Sequence, residues 1–181
     1  NFDPDFAVDI VEHPDLNTQA ANQALRMLLT EMGSSTIVAF VRIVDLPPDR
    51  NRAVRQLRAD DIGHMIAVDS IATKISGVRP RIYDASFECV VCGCHQVINQ
   101  PNEQVLIEPV ECPALDGGCG AKKRDTRFIL LTKESVLINS QFIELQELPE
   151  AIRGGAQPER ILCIAEHDLA GNLNPGDRVT A

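Results

Sequence analysis

The chain has 181 residues and a formal net charge of −9, with 26 Asp and Glu against 17 Lys and Arg. This acidic excess argues against nucleic acid as a partner unless the cations cluster locally, because phosphate binding depends on Lys and Arg. With one Tyr, six Phe and no Trp, any bound strand is expected to be held by its backbone rather than by stacked bases. No apolar run is long enough to cross a bilayer and no targeting segment is recognisable, which predicts a soluble, cytoplasmic protein with no membrane contact.

The first third of the chain has helical periodicity. A proline and two acids near residue 4 predict a helix start, and Pro14 predicts its end. A second helix is predicted from Asn17, as its N-cap, to Gly33 at the C′ position. Its apolar stripe is expected to face a core and comprises Ala21, Ala24, Leu25, Leu28, Leu29 and Met32.

The rest of the chain is dominated by short β-branched segments. Strands are predicted over residues 37–44, 65–75, 81–89, 127–131, 134–138, 142–147 and 161–166. The basic connector over 49–58 is interpreted as a solvated linker or short helical turn. Five or so strands beyond it, interrupted once by an insertion, indicate a small Greek-key barrel of the OB type.

Four cysteines in the insertion have the spacing of a metal site, Cys89-x2-Cys92, then a gap of nineteen residues, then Cys112-x6-Cys119. Two cysteines two residues apart can present both sulfurs to one ion, and a second pair closes a tetrahedral site. We therefore predict a zinc ribbon with one zinc ion. The zinc is structural, because four protein ligands leave no position for water or substrate.

Alternatives to this ligand set remain open. The second pair has four extra residues between its ligands, and three glycines could let them loop out: Gly117, Gly118 and Gly120. His95 is the first substitute ligand, whereas Cys94 is interpreted as a bystander. Three disulfides, or a redox pair formed by Cys89 and Cys92, are the competing hypotheses, and the metal-type pairing of four cysteines favours zinc over both.

Six short phrases occur in the order and spacing of a known protein family. They are Leu57-Arg58-x-x-x-Ile62-Gly63, Val78-Arg79-Pro80, Phe87-x-Cys89-x-x-Cys92-Gly93, Gln146-Glu147-Leu148-Pro149-Glu150, Gly154-Gly155-x-Gln157-Pro158 and Pro175-Gly176-Asp177-Arg178-Val179. Together they resemble the N-terminal region of minichromosome maintenance (MCM) proteins, especially archaeal ones, over nearly the whole chain. The resemblance implies an α+β fold of several subdomains: a helical subdomain with its connector over 1–57, an OB-type β-barrel over 58–86 and 128–181, and the zinc ribbon inserted over 87–127.

The resemblance also implies a function. Family members form a hexameric collar around DNA ahead of a motor that hydrolyses ATP, so the chain is expected to be the DNA-binding and homo-oligomerising portion of a replicative helicase. Single-stranded DNA is the implied ligand, at the positions that match the family's basic residues: Lys74, Arg79 and Arg81. A second cluster, beside the ribbon, would approach duplex DNA or simply be a solvated edge: Lys122, Lys123 and Arg124. The loop over 154–160 resembles the family's communication loop, although Glu159 stands where a basic residue is usual.

The chain is not expected to be an enzyme. It contains no Gly-x-x-x-x-Gly-Lys-Ser/Thr, so ATP would be used only by the motor domain that it lacks. Against the family, it is expected to start partway through the helical subdomain and to stop before a hairpin that enters the channel. Two rival functions stay open: an assembly module that does not bind DNA in isolation, which the charge of −9 favours, and a thiol oxidoreductase built on Cys89 and Cys92.

Overall fold

The computed structural model describes residues 4–34, 39–101, 105–114, 117–152 and 154–181. Within these ranges the helices are α1 (Pro4–Glu12) and α2 (Pro14–Glu31), and the strands are β1 (Asn51–Arg52), β2 (Ala67–Ile75), β3 (Arg79–Cys89), β4 (His95–Asn99), β5 (Phe128–Leu130), β6 (Val136–Glu147), β7 (Arg160–Glu166) and β8 (Arg178–Thr180). None of the helices described is both long and apolar enough to span a membrane.

The two helices meet at Pro14. Its ring cannot continue α1, because it has no N–H to donate, and it occupies the first turn of α2 instead. The predicted N-cap at Asn17 is therefore wrong. Asn17 lies inside α2, where its side-chain amide donates to the backbone carbonyls of Asp9 and His13 and to the Asp9 carboxylate. The predicted end is confirmed, since Gly33 follows α2 with a φ of +72°.

The apolar stripe of α2 does not form the predicted core. No residue of α2 is buried, and Leu28 and Met32 are 56% and 76% exposed. The reason is length. Helix α1 has 9 residues and α2 has 18, so α1 can cover only part of the stripe.

The predicted strand over residues 37–44 is absent from the part that the structure describes, because residues 39–44 belong to no strand. Residues 37 and 38 lie outside the described ranges. The amide N–H of Val41 donates to the side-chain oxygen of Asn22 at 2.7 Å. A side chain of α2 thus satisfies this backbone group without a neighbouring strand.

The chain forms two compact units, one of residues 1–74, 144–162 and 174–181 and the other of residues 75–143 and 163–173. In the first unit, β2 pairs in parallel with β1 and antiparallel with β8. Its buried apolar side chains are Val11, Val54, Ala67, Val68, Ala72 and Leu145. A turn over 174–177 precedes β8, with Gly176 at a φ of +98°.

The basic connector lies in the first unit and is more ordered than predicted. It contains β1 and two 3-10 turns, Pro48–Arg50 and Val54–Gln56. Val54 is 6% exposed, and Arg55 forms an ion pair with Glu147 at 2.6 Å. Of the two alternatives for the connector, the short helical turn is therefore confirmed at Val54–Gln56, and the solvated linker is wrong for these residues.

The second unit is organised around β3. This strand pairs antiparallel with β6 along its first half and with β4 and β5 along its second half. Ala85 and Phe87 are 0% and 1% exposed, so this face of the strand is buried around them. Because β3 ends at Cys89, the first of the four predicted metal ligands stands on a strand held by neighbours on both sides.

Strand β6 corrects another prediction. The two strands predicted over 134–138 and 142–147 form one continuous strand of 12 residues. Asn139 and Ser140, which separate the two predicted strands and are of residue types that favour a turn, lie opposite Pro80 and Arg79 of β3. Pairing with a long neighbour overrides the local turn preference of Asn and Ser.

Candidate functional site

The four predicted cysteine ligands are brought together. Their sulfurs all lie within 4.8 Å of one another. The Cys89 and Cys119 sulfurs are 3.8 Å apart, and those of Cys92 and Cys112 are 3.6 Å apart. These distances are too long for disulfides, whose sulfurs are about 2.05 Å apart. Four sulfurs at the corners of a tetrahedron about 2.3 Å from a zinc ion would be about 3.8 Å apart, so the cluster fits such an ion.

The backbone around the first pair turns two of its amides toward the Cys89 sulfur. Gly93 has a φ of +71°, and its N–H donates to the carbonyl of Cys89 at 2.8 Å. The backbone amides of Val91 and Cys92 hydrogen-bond to the Cys89 sulfur. Such bonds orient a ligand and stabilise its thiolate form.

The second pair depends on close packing at Gly118. A Cβ atom at this position would lie 2.5 Å from the Cys112 sulfur and 2.5 Å from the carbonyl oxygen of Pro113. The sequence suggested only that the glycines here give flexibility. The structure shows that Gly118 is needed because nothing larger fits between its neighbours.

The four sulfurs differ in environment. A hydrogen bond with the Thr126 hydroxyl, 3.6 Å away, outweighs burial and lowers the pKa of Cys89 to about 6. Burial raises the pKa of Cys112 to about 12. The Cys89 thiol, whose pKa is lowered, is thus 0% exposed. A redox nucleophile must be accessible, so this arrangement favours metal binding over the oxidoreductase hypothesis.

His95, the predicted substitute ligand, and Cys94, interpreted as a bystander, both lie outside the cluster. The Cys94 thiol donates to the carbonyl of His95, and the His95 Nδ1 lies 3.1 Å from a Glu134 carboxylate oxygen. Among the residues that the structure describes, the metal-type group consists of the four predicted cysteines alone.

The cations predicted near Val-Arg-Pro have different environments. Lys74, in the first unit, is exposed, and its Nζ lies 3.4 Å from Glu144. Arg79, in the second unit, is also exposed, and no ion pair between described residues involves it. Both side chains are therefore accessible to a ligand from solvent.

Arg81 is buried, with 6% of its surface exposed. Its guanidinium forms an ion pair with Glu166 at 2.6 Å and donates to the backbone carbonyl of Gln100 at 2.9 Å. It also lies over the Tyr83 ring. The DNA-binding role of Arg81 stays a prediction, but these contacts tie the residue to its own chain.

The cations beside the ribbon are exposed. Lys123 pairs with Glu108 at 2.9 Å, and Arg124 lies 3.4 Å from Asp125. The backbone of Lys122 pairs with Glu111. Nearby acids thus offset part of this positive charge.

Sequence reasoning missed Glu147, the most connected carboxylate of the first unit. Glu147 is 2% exposed and accepts hydrogen bonds from the Arg55 side chain at 2.6 and 2.7 Å, from the Arg55 amide at 3.0 Å and from the Glu159 amide at 3.1 Å. The available signal was its place in a phrase that matched the family. Nothing in that phrase identified Arg55 as its partner.

Comparisons with known proteins agree with this description. A family profile described as the MCM OB domain matches residues 53–181. The MCM protein of Saccharolobus solfataricus is 34% identical over 139 residues, which cover 77% of this chain and 20% of the relative. The DNA replication licensing factor MCM4 of Drosophila melanogaster is 23% identical over 180 residues, 99% of this chain and 20% of the relative. The chain thus spans about a fifth of the length of these relatives.

A solved structure extends the comparison to the fold. A crystal structure of the N-terminal domain of an archaeal MCM has a TM-score of 0.74 and 31% identity, and the match covers 97% of this chain and 68% of that one. The OB-type fold predicted from the sequence is confirmed by these matches. The chain belongs to the MCM family, whose OB domain it contains.

Proposed function

We propose that this chain is the non-catalytic DNA-binding and oligomerising portion of an MCM replicative helicase. The observation that carries the proposal is the match of the MCM OB domain to residues 53–181. Two exposed cations support it, Lys74 on β2 and Arg79 on β3. The ligand is single-stranded DNA, and the assembly is a homo-oligomer, a hexamer by the family resemblance.

The four cysteines hold one structural zinc ion in this proposal. Thiolate ligands select zinc among the common divalent ions, and the sulfur distances fit its tetrahedral site. The ion would supply a cross-link that holds β3 to the segment around Cys112. Elemental analysis of the purified protein tests this, with one zinc per chain expected and none refuting it.

Electrostatics sets the expected strength of DNA binding. If Lys74 and Arg79 each contact one phosphate, the logarithm of the affinity should fall with the logarithm of salt concentration at a slope of about −1.4 per subunit, at about −0.7 per contact. Because only two cations contact phosphate and the chain has a net charge of −9, one subunit should bind DNA weakly. Several subunits on one strand would raise the affinity through effective concentration.

A titration of labelled oligo-dT by fluorescence anisotropy at low salt tests the proposal. Lys74→Ala and Arg79→Ala should each weaken binding and reduce the slope by about 0.7. Arg178→Ala is the matched control, because it removes an exposed cation that pairs with Glu150 and loses the same charge. Equal affinities for all three variants would refute a role for Lys74 and Arg79.

The remaining predicted cations receive separate roles. We assign Arg81 to positioning Glu166 and the chain around Gln100, because its guanidinium is buried against both. Lys122, Lys123 and Arg124 are a second DNA site, for duplex DNA. Replacing all three by Ala should weaken duplex binding and leave oligo-dT binding unchanged; an unchanged duplex affinity would make them a solvated edge.

An assembly module that does not bind DNA in isolation is the second candidate. The pairing of Lys74 with Glu144 and the net charge of −9 favour it. Sedimentation with and without oligo-dT separates the two functions. A complex that sediments faster with oligo-dT supports DNA binding, whereas an oligomer whose sedimentation does not change supports assembly alone.

A further inference from the structure

In the first unit, the Glu144 carboxylate is contacted by three side chains of types that also bind phosphate groups. Glu144, on β6, accepts a hydrogen bond from the Thr73 hydroxyl at 3.1 Å on one oxygen. The Arg160 guanidinium donates to the same oxygen at 3.0 Å, and Lys74 Nζ lies 3.4 Å from the other. Lysine, arginine and threonine side chains are the usual partners of phosphate groups on nucleic acids.

The cations of this cluster are open to solvent. The Lys74 side chain is 72% exposed and that of Arg160 is 49% exposed, whereas that of Glu144 is 24% exposed. Arg160 also donates to the side-chain oxygen of Gln146 at 3.0 Å, so its guanidinium lies along the face of β6 that carries both residues. An incoming anion can therefore reach both cations without unfolding the strand.

Glu144 stays ionised within this cluster. Burial alone would raise its pKa, but the Thr73 hydrogen bond and the charges of Lys74 and Arg160 together lower it below the ordinary value. At neutral pH the carboxylate therefore cancels one of the two positive charges. Surface ion pairs of this kind are weak, so a phosphate can compete with the carboxylate for the same donors.

We propose that Glu144 occupies a phosphate site formed by Lys74, Arg160 and Thr73, and that it limits the affinity of the chain for single-stranded DNA. The inference rests on the proposed DNA-binding function and adds Arg160 to its contacts. It also explains how Lys74 can be paired in the free protein and still take part in binding.

The variant Glu144→Gln tests the inference. It keeps the shape of the side chain and an oxygen for Thr73, but it frees both cations. Oligo-dT affinity at about 50 mM salt should rise about two- to fivefold, the equivalent of one surface ion pair, and the salt slope should steepen by about 0.7. Adding Arg160→Gln to this variant should remove the gain.

The control is Glu150→Gln, which makes the same change in net charge at an exposed carboxylate paired with Arg178. An equal gain in both variants would mean a general charge effect and overturn the inference, as would no gain in Glu144→Gln. The proposed function fails separately, if oligo-dT affinity is the same in the unmodified chain and in Arg79→Ala, which lacks a cation outside this cluster. Thermal melts of each variant identify any that fails to fold. If one fails, the single variant Arg160→Gln is used in its place and is expected to weaken oligo-dT binding.

Discussion

The network around Glu147 gives the sharpest test of what holds the first unit together. Its carboxylate binds the Arg55 side chain and backbone and also the amide of Glu159. The 3-10 turn Val54–Gln56 is thereby attached to β6 and to the residue that precedes β7. The variant Glu147→Ala removes all of these acceptors at once.

The size of the effect follows from burial. Losing one partner of a buried ion pair costs about 3–5 kcal/mol, and we expect about 3 kcal/mol here because the Arg55 side chain is 32% exposed and water can solvate it. The Arg55 hydrogen bonds hold the pKa of Glu147 at about 2, below the ordinary 4.5. Because the folded pKa is depressed, this contribution is present above about pH 4.5 and is lost as the pH falls through about 2.

Thermal unfolding followed by circular dichroism measures the loss. At pH 7 the midpoint of Glu147→Ala should fall by roughly 6–12 °C, and the difference from the unmodified chain should shrink as the pH falls from 4.5 toward 2. Glu150→Gln is the control, because its exposed pair with Arg178 should contribute little. If Glu147→Ala melted within a degree of that control, or if the difference did not depend on pH, the reasoning would be wrong.

Three further outcomes are expected. Gly118→Ala should weaken zinc binding at least tenfold in a chelator competition, because its methyl group would meet the Cys112 sulfur, whereas Gly77→Ala, with open space around its Cβ, should not. Arg81→Ala should lower the thermal midpoint and Arg79→Ala should not, and equal melting of the two would contradict the assigned positioning role. Thr126→Val removes a hydrogen bond to the Cys89 sulfur and should raise the pKa of that thiol, so protons would displace the metal at a higher pH. Zinc release into a chromophoric chelator, followed as the pH is lowered, measures this.

The metal-type cluster was predictable because its information is local. Cys89 and Cys92 are separated by two residues, a spacing at which one turn can present both sulfurs to one ion. The second pair needed only to lie close enough along the chain to fold back onto the first pair. The support from Thr126 and the close packing at Gly118 were not predictable. Both depend on how the segments approach each other in space, which the spacing of ligands does not record.

The fate of the arginines was least predictable, because a sequence shows charge but not burial. Arg55 belonged to a run of cations typical of a solvated face, yet it binds a buried carboxylate 92 positions away. Arg79 and Arg81 differ by two residues on one strand, and only Arg81 is buried. Family resemblance placed both in the same role, and only the positions of Glu166 and Gln100 distinguish them.

Net charge is therefore a poor guide to what this chain binds. Arg55 and Arg81 each form an ion pair in which one partner is buried, and such pairs contribute little to attraction at a distance. A DNA strand can use only cations that are exposed and not held strongly by the chain itself. Among the described residues, Arg79 is exposed without an ion pair, and Lys74 is exposed with a weak surface pair. The proposed DNA binding uses so few contacts that it should be weak and sensitive to salt in one subunit, so it should appear together with the proposed oligomerisation as protein concentration rises.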